Sequence, residues 1–171
     1  MALLTGCTTY QHQAGDGHIG WTQWQKSAGG NGHWYKAVLV TNGITWAQAA
    51  AAARAEGGYL ATVTSDAENH FVFQSVNKPD FFAADNGLGP FLGASQPAGS
   101  EEPRGGWQWL TGEPWGHYTN WRWNQPDNHA DDDKLQFFSD TNRKPAPEWG
   151  DVAADWKAMG YVVERDARPN K

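Results

Sequence analysis

What most constrains this chain is the contrast between two neighbouring stretches. Residues 45–76 carry two helices with clear start signals, whereas after residue 80 short apolar runs lie amid turn formers, with many glycines, prolines, asparagines and aspartates from residue 111 to about 148. Long irregular segments in compact domains are uncommon and usually functional. The fold must therefore hold a large non-repetitive loop on a small regular frame.

The frame is readable from local chemistry. HWYKAVLV, residues 33–40, is rich in aromatic and β-branched residues and predicts a strand, followed by a turn at Asn42-Gly43. Thr45-Trp46-Ala47-Gln48 has capping-box spacing, in which the hydroxyl accepts from the third helical amide and the glutamine side chain reaches back. The alanine-rich helix that follows should stop at Gly57-Gly58. A short strand, YLATV, leads to a second capping box, Ser65-Asp66-Ala67-Glu68. It predicts a helix to about Val76, closed by Lys78-Pro79. Beyond it PFLGA is one short apolar run, WQWLTG alternates like a strand, KLQFF interrupts the turn formers, and the closing GYVVERD is another strand-like run.

Composition narrows the function. The net charge is −6 and no basic stripe exists, which argues against nucleic-acid and anionic-membrane partners. No eighteen-residue apolar run is present, so no membrane span is expected. Eleven tryptophans among twenty glycines suit a loop-rich fold anchored by large rings. Most of those rings should be core, since tryptophan is usually well buried, but tryptophan faces also pack against sugars. Six histidines and an acidic cluster leave room for an Mg²⁺ enzyme. Yet no paired-histidine metal motif, nucleophile elbow or phosphate-cradling glycine loop appears, so an enzyme is not expected.

Residues 1–31 read as a polar, glycine-rich tether, or as a tail docking Trp21 and Trp24 onto a domain spanning residues 32–168. The lone cysteine, Cys7, excludes an intrachain disulfide. Its setting, LLTGC, resembles the end of a bacterial lipoprotein signal in which that cysteine is lipidated. A full signal needs a basic segment and a longer apolar run than the six residues preceding Cys7. The expected location is secreted or cell-surface, with a lipid anchor at Cys7 where that signal is real.

The order of pieces carries a resemblance. From about His33 to Asp166 the chain presents TWAQAAAAARAEGGYLATVTSDAENHFV, then FLGA, WQWLTGEPWGHYTNW, QPDN, WGD and GYVVE. Together these resemble the C-type lectin-like domain. The resemblance implies an α+β fold, with two helices flanking small antiparallel sheets and a long irregular Ca²⁺-binding loop. The family's usual cysteine positions fall on Ala53 and Val163, and on Leu135 and Ala154, so packing is expected to replace both cross-links, as in a disulfide-free bacterial branch.

The resemblance also implies a site. In the family, the residues flanking a cis proline both ligate Ca²⁺, which places Gln125 and Asp127 as ligands around a cis Pro126. The next ligand falls on Asp133, with Asp131 or Asp132 replacing it if the loop is drawn differently, and the last on Asp151. The family's tryptophan-asparagine-aspartate triplet is here Trp149-Gly150-Asp151, so one side-chain oxygen is missing; water or Asp132 would fill the gap. A second family cation site, in the segment after FLGA, stays unassigned. Glutamine-proline-aspartate is the galactose-type order, and sugar hydroxyls would complete the ion's shell against Gln125, Asp127 and Asp133. His129 stands where galactose binders often carry a ring, and Trp123 rather than Trp121 is the exposed tryptophan expected nearby. A galactose-type glycan is thus the expected partner, with oligomeric display as a route to avidity. The rival is a protein-binding or ice-binding module of the same fold without a working sugar site.

Overall fold

The structure is a computed structural model that describes residues 20–83, 88–139 and 144–169. Cys7 lies outside the described residues. The strands are β1 (Thr22–Gln23), β2 (Trp34–Thr45), β3 (Tyr59–Leu60), β4 (Leu88–Ser95), β5 (Gln108–Trp109), β6 (Asp132–Ser139), β7 (Pro145–Ala153) and β8 (Lys157–Arg165). Two α-helices, α1 (Trp46–Ala55) and α2 (Asp66–Val76), and two short 3-10 turns complete the described elements. The class is α+β.

The strands join in one sheet ordered β1-β2-β8-β4-β6-β7, with β3 added on β8 and β5 on β4. All pairings are antiparallel except β4 with β8, where Phe91 meets Tyr161 in parallel. That contact joins the β1-β2-β8 antiparallel group to the β4-β6-β7 group. β2 runs longer than expected: it continues past the Asn42-Gly43 position, where Gly43 takes φ 73°, and re-pairs with β8 beyond an irregularity. β7 was not legible at all in its first half, because Pro145 and Pro147 read as loop formers; among the described strands it pairs with β6 alone, at the sheet edge, where prolines are tolerated.

Both helices start where expected, but only one capping box closes. Thr45 and Gln48 exchange both hydrogen bonds. Ser65 accepts from the Glu68 N–H, yet the Glu68 side chain turns inward instead of reaching back. Its carboxylate accepts from Asn31, the Tyr35 hydroxyl and the Thr64 backbone and hydroxyl. Glu164 takes the other side of this network, accepting from Thr62 N–H at 2.8 Å and bonding His33 and Tyr35. Burial pushes Glu164 up to about 7, and the Glu68 charge adds to it, while the bonds from His33, Thr62 and Tyr35 act in the opposite sense.

The residues before β2 pack onto the domain. β1 pairs with β2, Trp24 is buried and stacks on Phe71 at 5.6 Å, and Trp21 lies against a core cluster. Ala53 and Val163 are both fully buried in that cluster. The second pair differs from expectation: Leu135 is buried but Ala154 is exposed in the turn after β7.

Candidate functional site

The loop between β5 and β6 is anchored by tryptophan. Trp149, fully buried on β7, meets Trp109, Trp121 and Tyr118 edge-on with ring centroids 5.5–6.0 Å apart. Its indole N–H donates to Asn69 Oδ1 at 2.8 Å, so α2 holds it in place. Burial of such rings dominates local energetics. Of the eleven tryptophans, Trp123 alone is nearly free of the protein at 91% exposure, while Trp121 is half-buried in the cluster.

Trp149 also locates the proline motif. Its N–H donates to Asn120 O at 2.8 Å and its carbonyl accepts from Arg122 N–H at 2.9 Å, so residues 120–122 run beside β7. The Arg122 carbonyl accepts from Gln125 N–H, which turns the chain toward the cis Gln125–Pro126 bond. Gln125 Oε1 then accepts the Asp151 N–H at 3.0 Å. In return the Asp151 carboxylate accepts from the backbone of Asp127 (3.1 Å) and Asn128 (2.9 Å). The loop and the strand are thus clasped by three hydrogen bonds, two of them charge-assisted.

Across β7, Asp132 begins β6 opposite Ala153. This brings Asp127, Asp132 and Asp151 together, with one carboxylate oxygen of each within 4.8 Å of the others. Burial, then the charges of Asp151 and Asp127, pushes Asp132 up to about 6, and His129 counters them. Asp151 is also raised, chiefly by burial, against the backbone donors that favour its charged form. Three converging carboxylates repel one another unless a cation or a proton joins them.

The third carboxylate is therefore Asp132, not Asp133. Successive side chains on a strand alternate in direction, and Asp133 pairs instead with Lys134 at 2.6 Å. Asp131 is exposed at φ 61° and stands outside the cluster. His129 is exposed, and its N–H donates to Asp127 Oδ1 at 3.3 Å. The sequence reading missed two things. Glu102–Pro103 is also cis. The buried oxygens Gln96 Oε1, Asn128 Oδ1, Asp133 Oδ1 and Gln136 Oε1 have no partner among the described residues. Nothing local in the sequence signals these orphaned atoms.

The donors suit Ca²⁺. That ion takes six to eight oxygens at about 2.3–2.6 Å, so donors around one ion lie up to roughly 5 Å apart. The carboxylate oxygens meet this limit, and Gln125 Oε1, which accepts the Asp151 backbone N–H, retains a second lone pair.

A loop clasped to a sheet edge, with carboxylates, an amide and an exposed ring at its tip, defines a binding domain. The family model of the lectin C-type domain matches residues 42–158, and the chain belongs to that family, whose members are binding proteins rather than enzymes. A perlucin-like protein from Mytilus galloprovincialis is 28% identical over 121 residues, covering 71% of this chain and 70% of the relative. Among solved structures, the cow C-type carbohydrate-recognition domain of CD23, determined in the presence of GlcNAc2Man3 oligosaccharide, superposes with TM-score 0.63 at 19% identity. It covers 87% of this chain and 95% of that one. A calcium-independent type II antifreeze protein matches with TM-score 0.62 at 19% identity, over 91% and 98%.

Proposed function

We propose that this domain binds carbohydrate in a calcium-dependent manner, taking galactose-type sugars through an ion held by Gln125, Asp127, Asp132 and Asp151. The observation that carries the reading is the convergence of the Asp127, Asp132 and Asp151 carboxylates, with the amide that precedes the cis proline bonded to the Asp151 backbone. When bound, Ca²⁺ would offer coordination positions to two neighbouring sugar hydroxyls. The residues read those hydroxyls: Asp127 and Asp132 accept from them, and the Gln125 amide nitrogen donates, its oxygen being held by Asp151. Such bonds to charged acceptors exceed neutral ones in strength. Trp123 and His129, both exposed beside the motif, supply the ring and the polar rim against which a sugar packs.

The LLTGC segment supports display outside the cell, through a lipid on Cys7 of a bacterial surface protein. Clustered copies there would raise avidity for a glycan.

The test is calorimetric titration of Ca²⁺ into chelator-stripped protein, followed by galactose into both forms. Calcium uptake and galactose binding that vanishes with chelator are expected. Galactose binding unaffected by chelator, or none in either form, overturns the reading. A second reading is favoured by Gly150, which offers no oxygen beside the cluster: a module of the same fold that binds protein or ice without calcium. Absence of calcium uptake at millimolar concentration, with a partner bound regardless, selects it.

A further inference from the structure

Gly150 sits in the middle of β7, opposite Gln136 on β6, and its backbone is not left-handed. Nothing in its conformation asks for glycine. The space around it does. A Cβ at position 150 would stand 2.4 Å from Phe138 Cδ2, 3.1 Å from Phe138 Cε2 and 3.2 Å from Gln125 Oε1. The Phe138 ring therefore fills the place of a side chain on Gly150, alongside the Gln125 amide that accepts the Asp151 N–H.

Phe138 is itself held. The Arg122 guanidinium lies 4.9 Å from its ring centroid and also donates to the Ser139 carbonyl. Arg122 in turn carries the carbonyl that accepts from Gln125 N–H. The Arg122 contact thus holds the ring beside the proline loop.

We propose that Phe138 is the residue that sets cation affinity here: by excluding any side chain at position 150, it confines the protein's share of the shell to three carboxylates and one amide. This rests on the calcium-dependent reading above. Water completes the remaining positions, and ligand number tunes affinity in such sites. The consequence is an exchangeable ion, and a coupling between positions 138 and 150 that neither residue shows alone.

A double-mutant cycle tests this, with Gly150→Asn, Phe138→Ala and both together in the full chain. The readouts are Tm in chelator and Ca²⁺ affinity by calorimetry, with Gly150→Ala as a smaller steric probe. Gly150→Asn and Gly150→Ala are each expected to lower Tm, and Gly150→Asn to bind Ca²⁺ no tighter than the parent, because the ring is in the way. Phe138→Ala adds no oxygen and brings no gain in affinity. The double variant should recover part of the lost Tm and bind Ca²⁺ about tenfold tighter than the parent. Gly150→Asn alone binding as tightly as the double variant with unchanged Tm overturns the proposal, as does a double variant without gain. A parent that takes up no Ca²⁺ beside a double variant that does would sink the calcium-dependent reading and uphold Phe138 as the determinant.

Discussion

Gln125 Oε1 accepts the backbone N–H of Asp151 at 3.0 Å, while the Asp151 carboxylate accepts the N–H groups of Asp127 and Asn128. Residues some twenty-five positions apart thus satisfy one another before any ligand arrives. The two carboxylates consequently answer differently to mutation. Asp151→Ala orphans two backbone donors and should cost about 1–3 kcal/mol even in chelator. Asp127→Ala removes an exposed like charge, so Tm in chelator should hold or rise slightly while calcium uptake disappears. Thermal unfolding with and without chelator, beside calorimetry, separates them. Equal losses of Tm would contradict the clasp.

Calcium affinity should fall with pH through the cluster. Asp132, pushed up to about 6 by burial and its neighbours, must lose its proton to serve a cation. Affinity should drop about tenfold between pH 7 and pH 5. The sign for stability is opposite. A carboxyl raised in the folded state favours folding while protonated, and that contribution is lost as pH rises through about 6. Asp132→Asn should be the more stable protein at pH 8 in chelator, and parent stability there should recover with calcium.

Glu164 gives a second pH dependence far from the loop. Its carboxyl is pushed up to about 7, mainly by burial. Its contribution is present below the ordinary carboxylate range and lost as pH rises through about 7. Groups facing it are His33 and Tyr35 on and beside β2, Glu68 on α2 and, through its charge, Tyr59 on β3. Denaturant midpoints should decline from pH 6 to pH 8 in the parent and flatten in Glu164→Gln. An unchanged slope in the variant would assign the decline elsewhere.

The two tryptophans flanking Arg122 should part company. Trp123 is 91% exposed, so Trp123→Ala should change stability by no more than about 0.5 kcal/mol. It should weaken galactose binding about tenfold, a ring contact being worth roughly 1 kcal/mol or more. Trp121 packs against Trp107, Trp115 and Trp149, and Trp121→Ala should cost about 3 kcal/mol. Chemical denaturation and sugar titration of both variants check the contrast.

How much of this was legible follows from range. The Thr45 capping box and the stop at Gly57 were readable because each depends on residues within a few positions, and the cis Gln125–Pro126 bond was implied by the family resemblance. The Glu68 side chain was misread for the complementary reason. Its local partner was the helix cap, but Asn31 and Tyr35, distant in sequence, offered buried donors and took it. Asp132 and Asp133 are one residue apart, and only the β6–β7 register decides which of them turns toward Asp151.

By itself, then, the sequence determined the elements that local hydrogen bonding and periodicity dictate, and the presence of an amide, a proline and several carboxylates in one loop. Tertiary structure alone decided which carboxylates converge, that Trp149 pins the loop, and that Phe138 accounts for Gly150. Those outcomes depend on strand register and on the excluded volume of side chains brought together from separate strands, and a linear pattern carries neither.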